Sequence, residues 1–274
     1  MRTLHVNGYG MAYAERGAGT PLVLVHGSLC DQRYWAPQMG PLGEHFRAVA
    51  PSLRHCWPAR WDGAGDDFTI RQHVEDTAAF IDALGAGPVH LLGHSRGGQI
   101  AFRVAQRFPE RVHALVLAEP GGALDETLQP PHAAAVPQGV SAAEAAAKGA
   151  ERIRQGDAEG GVAAFVDAIN GPGAWAAMEE PLRGMHLDNA RTLLGQVNER
   201  RPPFARADME AIRAPTLLIG SERCSPPLAR VLDAMQRHIR GAERAAIPGA
   251  GHFMSEQEPE AFNNAVLGFL RERR

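Results

Sequence analysis

A serine set between glycines, Gly93-His94-Ser95-Arg96-Gly97, is the run in this 274-residue chain with the clearest chemical meaning. It follows an apolar run that reads as a buried strand, Pro88-Val89-His90-Leu91-Leu92, and precedes a helical pattern over 96–108. A tight strand-to-helix turn of this kind holds a serine in a strained conformation with its hydroxyl exposed. The flanking glycines are needed because a Cβ there would collide with neighbouring backbone. The helix N-terminus also directs free N–H groups and a partial positive charge at the site. The plainer alternative is a glycine-rich turn whose serine caps the helix; the strand–helix setting favours the nucleophile. A hydroxyl is a weak nucleophile at neutral pH and needs a base, and an imidazole with a pKa near ~6.5 can take its proton and later return it. Of the twelve histidines, His252 stands apart, because Pro248-Gly249-Ala250-Gly251-His252-Phe253 follows the last strand pattern and its glycines allow a tight loop back toward Ser95.

The elements that must position these residues are legible as alternation. Short strands are expected over 3–7 and 11–16, around a Gly8–Gly10 turn. Continuous apolar runs at 21–26, 88–92, 113–118 and 215–220 read as strands buried on both faces, with weaker strands at 47–50 and 245–247. Helical spacing recurs over 70–84, 96–108, 226–238 and 257–272, and Pro109 stops the second of these. Buried strands alternating with helices predict an α/β chain with a doubly wound, mostly parallel β-sheet. The alternation lapses from about 121 to 213. That stretch reads as short helices, such as 141–155, 158–170 and 185–198, and is expected to form a helical cap inserted between two sheet strands. The core is then 1–120 plus 214–274.

Composition narrows the function classes. An apolar fraction of 45% is enough for a sizeable core, and a net charge of −3 argues against nucleic acid or an anionic membrane as partner. Three scattered cysteines without metal-ligand spacing fit a reducing compartment. The N-terminal residues lack the apolar core of a secretory signal, and no apolar run approaches the ~18 residues of a membrane span. A cytoplasmic protein acting on a small molecule is expected, without metal or organic cofactor. The oligomeric state is not readable, and a homo-oligomer is compatible with the sequence.

His26-Gly27 after an early strand, the run at 93–97, and Gly249-Ala250-Gly251-His252-Phe253 after the last strand together resemble the α/β-hydrolase superfamily over almost the full chain. The resemblance implies a nucleophile, an acid and a histidine in that chain order. The superfamily's usual acid is an Asp after the strand at 215–220, but this chain has Gly220-Ser221-Glu222-Arg223 there, with Glu222 the only carboxylate. Some branches carry the acid at the end of the preceding strand, where Ala118-Glu119-Pro120 stands. Glu119 is the favoured acid because it closes a wholly apolar strand at the edge where ligands bind, and the N–H of His252 would satisfy its charge. The resemblance further implies an oxyanion hole from the backbone N–H groups of Ser28 and Arg96, with the Ser28 hydroxyl a possible third donor. His26 and His94 are read as loop supports.

Substrate contacts are expected from Leu29, Cys30, Trp35, the loop at 52–61 and the insertion, where Trp175, Met178, Met185 and His186 either shape an acyl pocket or pack the lid. The superfamily's Asp-x-x-Gly-x-Gly run is replaced by Ser52-Leu53-Arg54-His55-Cys56-Trp57. Arg54, His55 and Trp57 there either bind an acidic or aromatic substrate or, as the favoured reading, pack the loop. The leading expectation is hydrolysis of a small ester or lactone through an acyl-enzyme. Carbon–carbon bond hydrolysis of a diketone stays open, since it uses the same Ser and His, and so do cofactor-free lyase chemistry and a non-catalytic small-molecule receptor on the same fold. Epoxide hydrolases and haloalkane dehalogenases resemble this chain but carry Asp at the nucleophile position, so Ser95 argues against both. Epoxide opening also uses lid tyrosines, whereas Tyr9, Tyr13 and Tyr34 all lie outside the insertion.

Overall fold

A computed structural model describes residues 1–128 and 142–273. Residues 129–141, including the first residue of the helix expected at 141–155, lie outside the described residues.

Among the described residues eight strands form one sheet: β1 (Arg2–Val6), β2 (Tyr9–Arg16), β3 (Pro21–Val25), β4 (Arg47–Pro51), β5 (Val89–His94), β6 (Val112–Ala118), β7 (Thr216–Ser221) and β8 (Glu243–Ile247). Their spatial order is β1-β2-β4-β3-β5-β6-β7-β8. The pairs β1–β2 and β2–β4 are antiparallel and the others parallel. The apolar runs are buried on both faces because helices cover both. Alternate residues of β3 go to opposite cores: Val23 and Val25 pack with Leu91, Leu115 and Leu117 on one side, while Leu22 and Leu24 pack with Leu92, Val116 and Ile219 on the other. Each such side chain taken out of water contributes roughly 1.5–3 kcal/mol.

The helices are α1 (Ala36–Gly43), α2 (Ile70–Ala83), α3 (Arg96–Arg107), α4 (Ala142–Arg154), α5 (Ala158–Asn170), α6 (Leu182–Asp188), α7 (Thr192–Gln196), α8 (Arg206–Glu210), α9 (Pro226–His238), α10 (Met254–Gln257) and α11 (Pro259–Arg271). The helix expected over 185–198 is two short ones. Asn189 ends the first, its side chain turned to Asp31 and the Met185 carbonyl. Helices α4 to α8 fall between β6 and β7; Met209 of α8 joins the core of the sheet, while the small core of α4 to α7 comprises Ala145, Ala146, Val162, Phe165, Val166, Trp175, Ala190 and Leu193. One residue from the sheet side, Leu29, enters that core.

The register explains where a site can form. Val25 pairs with Gly93, His94 with Ala118, Ala118 with Ile219, and Ser221 with Ile247. The strands therefore end level, and the residues that follow each meet at one edge. The chain leaves β3 for β4 on one side and β5 for β6 on the other, so this edge is also the switch point at which open α/β sheets bind ligands.

Candidate active site

Gly27, Ser95, Glu119, Ser221 and the loop carrying His252 all stand at that carboxyl edge. Ser95 has φ 54° and ψ −120°, and its side chain makes no helix-capping hydrogen bond, so the capping alternative does not hold. Its N–H donates to the Ala118 carbonyl and its carbonyl accepts from Gly121, which ties both ends of the turn to the chain after β6. A Cβ on Gly97 would sit 2.3 Å from the carbonyl oxygens of Val25 and His26, and one on Gly93 would sit 2.3 Å from the Gly97 oxygen. The glycines are there because backbone meets backbone.

The Ser95 hydroxyl lies 3.0 Å from His252 Nε2 and donates to it, and His252 Nδ1–H donates to Glu119 Oε2 at 2.6 Å. Glu119 is fully buried and also has a left-handed backbone, φ 40°. Its other oxygen accepts from the Ser221 hydroxyl at 2.6 Å and the Ser221 N–H at 2.8 Å. Burial pushes the Glu119 carboxyl up, but the hydrogen bond and charge of His252 and the two Ser221 donors overcome this and hold it at about 2. The carboxylate is thus ionised and fixes the imidazole with its proton on Nδ1, leaving Nε2 as an acceptor toward Ser95.

The second carboxylate considered, Glu222, is directed elsewhere. Its side chain accepts from the Gly249 N–H at 2.6 Å and so clamps the base of the histidine loop. Arg223, near the position of the superfamily's usual Asp, acts on the same loop through its backbone N–H, which donates to Ala250 at 3.0 Å. Gln257 accepts from Gly251 at 2.7 Å, and His94 Nε2–H donates to the His252 carbonyl at 2.8 Å. A loop rich in glycine is therefore held at four successive residues.

His26 and His94 support loops, as expected. His26 Nδ1–H donates to the Gly27 carbonyl and Nε2 accepts from the Leu53 N–H at 3.0 Å. Burial lowers the His26 pKa to about 4 and that of His94 to about 3, so both are neutral. Among the described residues, neither the Ser28 nor the Arg96 N–H donates to a protein acceptor. Leu29, the next residue after Ser28, takes φ 59°, and a Cβ on Gly27 would be 3.2 Å from Ser95 Cβ.

Of the expected substrate contacts, Cys30 and Trp35 are corrected, while Arg54 and His55 follow the favoured packing reading. Trp35 is fully buried and packs toward Phe262, and Cys30 is buried in the same core. Arg54 is held by Asp76 through two hydrogen bonds of 2.7 and 3.0 Å, and His55 by Asp67 at 2.7 Å with its ring stacked on Trp61. These residues pack the loop, because a buried cation needs its counter-ion. Trp175 is in the core of the inserted helices with Met178 beside it, and Met185 is buried against the sheet-side core. His186, also buried, packs edge-on to Phe253, the neighbour of His252. Trp57 lines a cavity of about 290 Å³ between its loop and α6–α7, together with His55, Arg60, Trp61, Asn189 and Arg191; neither Ser95 nor His252 lines it. Sequence reasoning missed Ser221, which pairing β6 with β7 would have placed beside Glu119, and Tyr34, whose ring stacks under His94.

Fold and site together define a hydrolase. The model of the alpha/beta hydrolase family matches residues 22–265, and the chain belongs to that family. It is 25% identical, across 95% of its length and 94% of the other, to a protein of Azorhizobium caulinodans called "Putative carbamate hydrolase RutD". A cis-3-alkyl-4-alkyloxetan-2-one decarboxylase of Shewanella oneidensis is 30% identical over 117 residues, 42% of this chain and 37% of that protein. Among solved structures, a thermophilic esterase from Thermogutta terrifontis superposes with a TM-score of 0.78 at 25% identity, covering 98% of this chain and 96% of that one. Among the described residues no helix is long and apolar enough to cross a membrane.

Proposed function

We propose that the chain is a serine hydrolase of a small carboxylic ester or lactone, with Ser95 as nucleophile, His252 as base and Glu119 as the acid that orients it. The observation that carries this reading is the continuous relay from Ser95 Oγ to His252 Nε2 at 3.0 Å and from His252 Nδ1 to Glu119 at 2.6 Å. Ser95 Oγ attacks the carbonyl carbon while its proton passes to His252 Nε2. The oxyanion is taken by the N–H groups of Ser28 and Arg96. His252 then returns the proton to the leaving oxygen, which departs as an alcohol, or stays attached if the substrate is a lactone. Water deprotonated by His252 attacks the acyl-enzyme and releases the acid with Ser95 restored. Helices α4 to α7 act as the cap, which meets the chain after β3 through Leu29 and through Asn189 on Asp31. The full-length likeness to proteins described as an esterase and a carbamate hydrolase supports acyl transfer to water at a carbonyl.

The test is labelling with a fluorophosphonate, mapped by mass spectrometry, followed by turnover of esters, lactones, carbamates and diketones. The expected result is one adduct on Ser95, lost in Ser95→Ala, with ester or lactone turnover. Turnover of diketones alone would replace this substrate class with carbon–carbon cleavage. Tight binding of a small molecule with neither adduct nor turnover would establish a receptor instead.

A further inference from the structure

The residue after the nucleophile carries a guanidinium that the relay does not use. Arg96 is the first residue of α3, and its side chain is almost wholly buried. A buried cation is stable only when its donors are matched. Here Glu199, whose side chain is fully buried, accepts from Arg96 Nη2 through one oxygen and from Nε at 3.2 Å through the other. Arg96 Nη2 also donates to His73 Nδ1 at 2.7 Å, and the guanidinium carbon lies 4.6 Å from the centre of the Phe68 ring. Arg201 Nε donates to Glu199 at 2.8 Å. Glu199 belongs to the segment by which the chain returns from α7 to the sheet. The side chain of one oxyanion donor is thus gripped by the exit of the inserted helices and by the chain leading into α2.

We infer that Glu199 is a positioning residue for the oxyanion hole, fixing Arg96 so that its backbone N–H points at the reacting carbonyl. The inference rests on the serine-hydrolase reading. Ser95 sits at φ 54°, a conformation that persists only when its surroundings over-determine it. Gly93 and Gly97 constrain the turn by close backbone contact, and the Arg96–Glu199 clamp constrains it through a side chain. An N–H donor serves the oxyanion only within a few tenths of an ångström of its place, and a displacement of about 1 Å costs on the order of 10²-fold.

A second ion pair on the same helix supplies the control. Arg103 Nη1 donates to Asp208 at 2.7 Å and Nη2 to the Pro203 carbonyl at 2.6 Å, so it joins α3 to the same returning segment about two turns from Ser95. The experiment measures kcat, KM, thermal stability and the affinity of a trifluoromethyl ketone, which binds as a tetrahedral adduct, in Glu199→Gln, Glu199→Asp and Arg103→Gln. Expected in Glu199→Gln is a kcat lower by about 10- to 100-fold, KM within about twofold, and ketone affinity falling in proportion to kcat/KM. Glu199→Asp keeps the charge and the fold and shows a smaller loss of the same kind. Arg103→Gln loses stability but keeps kcat and ketone affinity. Loss of stability in the Glu199 variants with kcat and ketone affinity as in wild type would overturn the inference, and so would equal kinetic losses in Arg103→Gln. If Glu199→Gln does not fold, Glu199→Asp decides by the same criteria. Failure of the wild-type protein to label at Ser95 would instead overturn the underlying reading.

Discussion

The carboxyl edge of β3, β5 and β6 and the helices α4 to α7 between β6 and β7 differ in what their close contacts hold in place. At the edge, positions are set by backbone against backbone: Gly97 has no room for a Cβ, and Ser95 and Glu119 are held at φ 54° and 40°. In the inserted helices, small alanines let α4 and α5 approach, and a few large residues such as Trp175 and Phe165 fill what remains. Two glycines there also meet backbone to backbone, since a Cβ on Gly149 would lie 2.8 Å from the Gly161 oxygen and one on Gly161 2.6 Å from the Gly149 oxygen, whereas another serves only a turn. Gly156, between α4 and α5, has φ 87° with nothing near the place of a Cβ. Left-handed non-glycine residues occur at the edge, and among the described residues 142–196 have none.

The largest effect that would sharpen this contrast is chemical. Ser95→Ala should lower kcat by about 10⁴-fold or more while leaving thermal stability nearly unchanged, since the hydroxyl packs against little besides His252. Next comes the backbone of the edge. Gly97→Ala should cost about 3 kcal/mol or more, because the contacts it breaks are with carbonyls that cannot swing aside. Gly156→Ala should cost only about 1–2 kcal/mol, the strain of a left-handed residue. Urea titration of both variants checks this, and equal losses would erase the distinction. Trp175→Ala should remove about 3 kcal/mol from the inserted helices, exposing amides of 142–196 to hydrogen exchange before those of the sheet. If the whole molecule exchanged as one unit, the two regions would not be separable.

The acid response tests the edge again, more gently. His26 and His94 titrate near 4 and 3 when folded against 6.5 ordinarily, because burial opposes their charge. Below pH 6.5 the unfolded chain binds protons that the folded chain refuses. Their stabilisation is therefore complete above pH 6.5 and declines as pH falls toward 3, with each unit of separation worth about 1.4 kcal/mol. Glu119, held at about 2 against 4.5, adds to the loss below pH 4.5. Burial also lowers His90 and His186 to about 4, adding to this slope, and raises Glu256 to about 7, opposing it. Urea midpoints at pH 7, 5.5 and 4 should still fall, and a flat profile would mean that the buried imidazoles do not outweigh Glu256.

The same contrast explains what the sequence revealed. Tight turns leave fixed signatures, so Ser95 and His252 were legible from glycine spacing, and Glu119 from its place at the end of an apolar strand. Parallel strands were legible because burial on both faces demands continuous apolar runs. Contacts set by packing left no such mark. Cys30 and Trp35 follow a site loop and so read as substrate contacts, yet they are buried in the core. For Arg54 the sequence favours packing but does not name its partner, Asp76, which lies in α2. The break of the expected 185–198 helix at Asn189 depends on Asp31, which is distant in sequence.

The choice of acid is the joint of the proposed relay, and a pair of substitutions tests it directly. Glu119→Gln removes the charge that holds His252 in its tautomer, while Glu222→Gln only weakens the clamp on Gly249. Steady-state turnover of the best ester or lactone should fall by about 10²- to 10⁴-fold in Glu119→Gln with KM little changed, and by no more than a few-fold in Glu222→Gln. Loss of turnover in Glu222→Gln with Glu119→Gln close to wild type would contradict the relay from Ser95 through His252 to Glu119.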